Sequence, residues 1–343
     1  MRAYRLESFG DIDGIVLGEH GAAVPEPAGP TGIVVAMRAA SLNRRDLMIL
    51  DGSYPLPAVP GVVPLSDGAG EVVAVGDAVT RFAVGDRVSC GYFPRWRSGP
   101  ITPDAFDQPG CTLDGMLAEY AVLDEQWAVR VPEHLTWEEA ATLPCAAVTA
   151  WSALTGGEPL LPGRTVLTLG TGPVALFAVQ FAGLLGCRVV ATTSGGAEKA
   201  DRLKALGADA VIDYRSHPEW SVQVRDATGG LGADLVVETG GPKTIEQSMR
   251  ASALYGQIVL LITGDGGRSG ISISNEAYAS SLATIRREFV GSRDRFEEMN
   301  RAITTHGLRP VIGRVHSFEN ARAAYRGYAT DAPFGKVVLR MDG

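Results

Sequence analysis

The sharpest pattern of apolar and polar positions lies in TVLTLGTGPVALFAVQFAGLLGCRVVATTS, Thr165 to Ser194. Thr165 to Leu169 is a short apolar run between Gly163 and Gly170, as in a parallel strand buried on both faces. Gly170, Thr171, Gly172 and Pro173 make a tight turn. From Val174 to Leu185 apolar residues then recur with a helical period until Gly186 stops them. A second β-branched run, Arg188 to Thr193, completes a strand–helix–strand unit of about 30 residues. Glycines at the turn let the backbone approach a pyrophosphate, and the helix N-terminus behind them favours its charge. The spacing Gly-x-Gly-x-x-Ala, with Ala175 at the third small position, therefore predicts a dinucleotide cradle. In another kind of α/β protein the same glycines would only turn the chain.

Upstream the period becomes strand-like. MRAYRLE, IVLGEH and IVVAMRAASLN are apolar runs broken by VPEPAGPTG. Arg44 to Leu50 reads as a short helix, and the prolines between Pro55 and Pro64 forbid regular structure after it. GAGEVVAVGDAV and RFAVGDRVSC are β runs, each passing through a Gly-Asp turn signal. Residues 91–111 are aromatic, proline-rich and irregular, which suits a lid, a subunit contact or an ordered excursion without a role. Met116 to Leu123 resumes a strand. Thr136 with Glu139 forms a capping box, and Pro144 divides the helical stretch that follows. Beyond Ser194 the chain alternates AEKADRLKALGA, DAVIDY, SVQVRDATGG, ADLVVETG, PKTIEQSMRASAL and GQIVLLITG, with REFVGS as a candidate edge strand. The prediction is an α/β chain: a β-rich domain over 1–125, a doubly wound parallel sheet over 126–292, and a segment, 293–343, that returns to the first domain.

Composition narrows the function. A chain of 343 residues exceeds one comfortable core, in keeping with two domains. A net charge of −8 argues against a nucleic-acid surface. No apolar run reaches membrane-spanning length, and MRAYRLESFGD lacks the apolar core of a signal peptide. Cys90, Cys111, Cys145 and Cys187 are widely spaced with no Cys-x-x-Cys pair, the usage of a reduced, cytoplasmic chain.

Over nearly its whole length the sequence resembles the medium-chain dehydrogenase/reductase superfamily. The matching stretches are SLNRRDL, PGVVPLSDGAGEVVAVGDAVTRFAVGDRV, DGMLAEY, AATLPCAAVTAWSAL, LGTGPVALFAVQFAGLLG and FGKVVL. The resemblance implies a GroES-like β-barrel catalytic domain and a Rossmann domain, with substrate and nicotinamide meeting in the cleft between them. In zinc alcohol dehydrogenases of this superfamily a Cys ligand stands where this chain has Asn43, a His-Glu pair where it has Ser66-Asp67, and a third ligand at Cys145. A catalytic zinc takes three protein ligands, so none is expected here, and Cys145 is expected to be a packed cysteine. A structural zinc would need four cysteines after Cys90, where only Cys90 and Cys111 occur.

Zinc-free members with Asn at this position resemble quinone oxidoreductases and enoyl reductases. These reduce a quinone or a carbonyl-conjugated C=C, acceptors that need alignment and oxygen stabilisation rather than a Lewis acid. Asn43 and Asp46 are expected to shape the catalytic floor, with Ser66 or backbone amides facing the substrate oxygen. Arg44 stands where many enoyl reductases carry a Tyr donor, and as a guanidinium it is read as a phosphate clamp.

The cofactor expectation is NADPH rather than NADH. An NAD site places an acid at the end of the second strand, and Thr192, Thr193 and Ser194 supply none. Ser194, Gly195, Lys199 and Tyr214 suit a 2′-phosphate. Further contacts are expected from Thr149, by the resemblance, and from Thr239-Gly240 and Thr263-Gly264 at strand ends, with Gly291 and Phe334-Gly335-Lys336 as weaker candidates. An alcohol or carbonyl dehydrogenase and a non-catalytic, crystallin-like NADPH-binding protein are the competing readings. The resemblance also implies a homodimer, joined at the sheet edge near Glu288 to Gly291.

Overall fold

The computed structural model describes residues 1–261, 270–331 and 333–341. They form two compact units, Met1–Val148 with Gly291–Gly343, and Thr149–Val290.

In the first unit β1 (Arg2–Leu6) pairs antiparallel with β2 (Ile15–Glu19). The main sheet is centred on β3 (Gly32–Ser41), flanked by β4 (Asp67–Val75) and β6 (Tyr120–Asp124), both antiparallel to it. β5 (Arg87–Cys90) joins β4 to β7 (Ala128–Arg130). The run GIVVAMRAAS is apolar almost throughout because β3 is covered on both faces. Ile33, Val35, Met37 and Ala40 pack there with Val72, Val88 and Leu123. The glycines of β4 answer to crowding: a Cβ on Gly68 would lie 2.5 Å from Met37 Cε and 2.6 Å from Met116 Cβ. Directly after β3 comes α1 (Arg44–Leu50), with extended Asn43 as its N-cap.

The first unit runs further than the sequence suggests. It ends at Val148 rather than at 125 and so takes in β7, a strand too short to leave a periodic signal. α2 (Trp137–Ala140) opens on the expected capping box: Thr136 N donates to Glu139 Oε2 at 2.8 Å, and Glu139 N to Thr136 Oγ1 at 3.2 Å. Pro144 falls in a π turn, Leu143–Ala147, that separates α2 from α3 (Val148–Thr155). The 91–111 loop is anchored. Phe93 meets Tyr92, Trp96 and Phe106 edge-on, and Arg293 N donates to Trp96 O at 2.9 Å.

The second unit is a six-stranded parallel sheet. Its strands are β8 (Thr165–Leu169), β9 (Arg188–Thr193), β10 (Ala210–Asp213), β11 (Ala233–Glu238), β12 (Ser252–Leu260) and β13 (Thr284–Arg287). Their spatial order, β10-β9-β8-β11-β12-β13, is that of a dinucleotide-binding sheet, with its switch point between β8 and β11. α4 (Pro173–Leu184), α5 (Gly196–Ala205), α6 (Trp220–Ala227), α7 (Ile245–Ala251) and α8 (Asn275–Ser281) make the connections. The edge strand β13 starts earlier than REFVGS and ends on its first residue, Arg287, so Glu288 to Ser292 follow it. α9 (Arg293–His306), β14 (Ile312–Ser317), α10 (Ala321–Asp331) and β15 (Lys336–Arg340) belong to the first unit, where β15 pairs antiparallel with β3. Among the described residues no helix is long and apolar enough to cross a membrane.

Candidate functional site

The second unit gathers most of the predicted cofactor residues at one end of its sheet. β8 ends at Leu169, and Gly170 turns the chain with φ +79°, a conformation that favours glycine. Gly170 N donates to Thr192 O of β9 at 3.0 Å, and Thr239 Oγ1, after β11, donates to Leu169 O at 2.9 Å. Thr171 completes the turn. Gly172 is the N-cap of α4, Pro173 its first residue and Val174 its second, and Gly172 brings no side chain to cap the helix. Among the described residues a Cβ at Gly170 or Gly172 would meet nothing within 4 Å, so with respect to them both glycines leave open space in front of a 12-residue helix. That is the geometry of an anion cradle.

The end of β9 carries no carboxylate. Gly195 N donates to Thr193 Oγ1 at 3.1 Å, and Tyr214 N to Thr193 O at 3.0 Å, which fastens the Ser194-Gly195 turn beside Tyr214. Lys199 lies back over this turn: a Cβ on Gly195 would fall 2.1 Å from Lys199 Cδ. Gly240 has a structural task, since its N–H and that of Gly241 both donate to Glu238 Oε1, at 2.6 and 2.9 Å. Thr149 is buried on α3. Thr263 and Gly264 lie outside the described residues.

The first unit holds the catalytic candidates, in an arrangement that sequence reasoning only partly anticipates. Lys336, named only as a weak cofactor contact, is fully buried and is its organising group. Its Nζ donates to Leu42 O at 2.9 Å, Asn43 Oδ1 at 2.7 Å and Asp67 Oδ2 at 3.0 Å. Ser66 is fully buried, and its hydroxyl donates to Asp67 Oδ1 at 2.8 Å. Ser66 therefore holds Asp67 instead of facing a substrate oxygen, because a buried carboxylate attracts the nearest donor. Cys145 stands at the remaining metal-ligand position. Loss of water, and next the charge of Asp67, push its thiol pKa well up. Among the described residues no group of three or more His, Cys, Asp or Glu side chains is placed to hold a metal ion.

The two adjacent arginines diverge. Arg44 is exposed, whereas Arg45 is buried. Arg45 Nη1 donates to Pro109 O at 2.8 Å, and its guanidinium lies over Tyr54 and Tyr92, 5.3 and 4.8 Å from the ring centres. Asp46 accepts the Asn43 N–H at 2.7 Å, closing the first turn of α1. Burial raises the Asp46 pKa from 3.8 to about 6, against the pull of Arg45. Folding thus favours protonated Asp46. This stabilisation is full below pH 3.8 and is lost as pH rises through about 6. At about 1.4 kcal/mol per pKa step it amounts to about 3 kcal/mol. Asp46→Asn is expected to flatten the fall in stability between pH 4 and 7 in urea titrations; an unchanged slope would assign the fall to other groups.

Residues 29–133 match the family model of the alcohol dehydrogenase GroES-like domain, and residues 173–305 that of zinc-binding dehydrogenases. The chain is 40% identical over 324 residues to the zinc-type alcohol dehydrogenase-like protein C1773.06c of Schizosaccharomyces pombe, covering 93% of each. It is 33% identical over 263 residues to a quinone oxidoreductase of Pseudomonas aeruginosa, covering 76% of this chain and 74% of that one. The crystal structure of an NAD-dependent alcohol dehydrogenase aligns over 100% of both chains, with a TM-score of 0.88 and 33% identity. The chain belongs to the medium-chain dehydrogenase/reductase superfamily of nicotinamide-dependent oxidoreductases.

Proposed function

We propose that this protein is an NADPH-dependent, zinc-free oxidoreductase that reduces a quinone or an α,β-unsaturated carbonyl. One observation carries this reading: the Lys336 ammonium sits between Asn43 Oδ1 and Asp67 Oδ2, at positions where zinc-binding relatives place ligands. A divalent ion there would share those oxygens with an ammonium, and like charges at that range repel strongly in a buried site. The donor set does not fit zinc. A conjugated acceptor suits such a site, because it needs no Lewis acid to become electrophilic.

The open glycine turn and the uncapped start of α4 fit a pyrophosphate, and the acid-free end of β9 with Lys199 fits a 2′-phosphate. When bound, NADPH supplies the hydride. The residues that would orient it are Gly170–Val174, Ser194, Gly195, Lys199 and Tyr214, and Arg44, exposed on α1, is kept as the phosphate-clamp candidate. Lys199→Ala is expected to raise the KM for NADPH about tenfold, the scale of one charge-assisted contact, and to leave that for NADH nearly unchanged. Equal losses for both would end the NADPH assignment.

An alcohol or carbonyl dehydrogenase is the second reading, favoured by the names of the S. pombe relative and the aligned crystal structure. Steady-state assays with NADPH against quinones, enones, aldehydes and alcohols, with metal analysis of the purified protein, decide between them. Turnover of simple alcohols without turnover of conjugated acceptors would overturn the proposal. Tight NADPH binding without turnover of any acceptor would identify a crystallin-like binding protein. We also read β13 as a dimer edge: it ends the sheet, and Tyr255 on neighbouring β12 is 75% exposed. Sedimentation should give twice the 36.1 kDa chain mass; a monomer at micromolar concentration would contradict it.

A further inference from the structure

Among the described residues the Asn43 amide is held at one end and unpartnered at the other. Its Oδ1 accepts from Lys336 Nζ at 2.7 Å, while its Nδ2 is buried and finds no hydrogen-bond partner among them. The orientation follows from chemistry: an ammonium only donates, so the amide must turn its oxygen toward Lys336 and its NH2 away. Asn43 is 6% exposed, and a buried donor without an acceptor is unfavourable on its own account. The start of α1 does not need this group, because Asp46 already accepts the Asn43 backbone N–H. Lys336 is not free to act as an acid, because its three N–H bonds go to Leu42 O, Asn43 Oδ1 and Asp67 Oδ2.

We propose that Asn43 Nδ2 is the hydrogen-bond donor to the acceptor oxygen of the substrate, and that Lys336 is the residue that positions and polarises it. The inference deepens the functional reading above and rests on its claim that a carbonyl-bearing acceptor is reduced. The acceptor gains a hydride from the bound dinucleotide, which is oxidised to NADP+, and a proton from water. Negative charge develops on the acceptor oxygen between these events, and a preset N–H donor stabilises it there. Asn43 donates a hydrogen bond and keeps its proton. The cation behind Oδ1 draws electron density out of the amide and strengthens Nδ2–H as a donor. Lys336 thus acts at one remove, through a neutral amide. Asp67, held by Ser66, balances its charge.

Asn43→Asp separates this role from a structural one, because it keeps an oxygen for Lys336 and removes the N–H. At pH 8 the variant places a second carboxylate beside Asp67 and should melt lower than wild type, yet stay folded and bind NADPH within twofold by fluorescence titration. Its kcat should fall about 100-fold or more, as when one oxyanion donor is lost, with a much smaller change in KM. Lowering the pH should restore part of kcat, as the new carboxyl protonates and becomes a donor. A kcat within threefold of wild type at pH 8 would overturn the proposal. The neutral pair Lys336→Met with Asp67→Asn tests the positioning role: kcat falls about tenfold while the NADPH Kd stays unchanged. A folded double variant with wild-type kcat would remove Lys336 from the proposal. The acceptor is whichever compound wild type reduces. Turnover of aldehydes alone, lost in Asn43→Asp, would refute the quinone and enone reading and support the donor. Turnover of enones retained in Asn43→Asp would do the reverse. No turnover of any carbonyl compound would refute both.

Discussion

Lys336→Met should destabilise the folded chain by about 3–5 kcal/mol, the usual penalty for removing one partner of a buried ion pair. Lys336 and Asp67 are both fully buried, with Nζ and Oδ2 3.0 Å apart. The substitution leaves the apolar stem nearly unchanged in volume, so little of the loss comes from packing. What remains is a fully buried carboxylate whose close donor among the described residues is the Ser66 hydroxyl, at 2.8 Å. Adding Asp67→Asn should recover most of the stability, because the neutral amide still accepts from Ser66 and no longer requires a counter-charge. Recovery should stop short of wild type, since Leu42 O and Asn43 Oδ1 each keep a lost donor. The measurement is a urea cycle over wild type, both single variants and the double. The midpoint should move while the slope stays constant. A single variant within 1 kcal/mol of wild type would mean that the pair is solvated and organises nothing.

This pair also shows where the sequence stops being readable. The strand, turn, helix and strand from Thr165 to Thr193 are legible because their signals are local: an apolar run, two glycines and a helical period. The capping box of Thr136 and Glu139 is local in the same way, and so is the helix Arg44–Leu50. Lys336 bonds to groups 269 and 293 residues away, and nothing in FGKVVL marks its ammonium as buried. The only trace is a lysine inside an apolar strand pattern, where a solvated charge is out of place. Arg44 and Arg45 look alike in SLNRRDL, but consecutive helix positions face different directions, so one is exposed and the other buried under two tyrosines. The direction of the Ser66 hydroxyl is not legible either, because it is set by the buried carboxylate of Asp67 beside it.

Gly172→Asp should raise stability slightly while weakening NADPH binding about 100-fold or more. Gly172 is the N-cap of α4 with φ −71° and ψ 163°, extended values that an aspartate adopts without strain. A Cβ there meets nothing within 4 Å among the described residues, which leaves room for the side chain. Aspartate is among the best N-caps, and its charge opposes the positive end of the helix, which together add a few tenths to about 1 kcal/mol. The same carboxylate takes the N–H groups that a pyrophosphate would use, and adds a negative charge where two phosphates must approach. At a separation of about 4 Å near a protein surface that repulsion is of order 4 kcal/mol, more than enough for the stated loss. Gly172→Asn provides the control. It caps the helix and occupies the same space without charge, so its smaller loss measures obstruction, and the difference between the two measures electrostatics. Thermal melts without cofactor and fluorescence titration with NADPH read the two effects separately. If Gly172→Asp binds NADPH like wild type, the pyrophosphate does not sit on this turn, and the open space before α4 has another explanation.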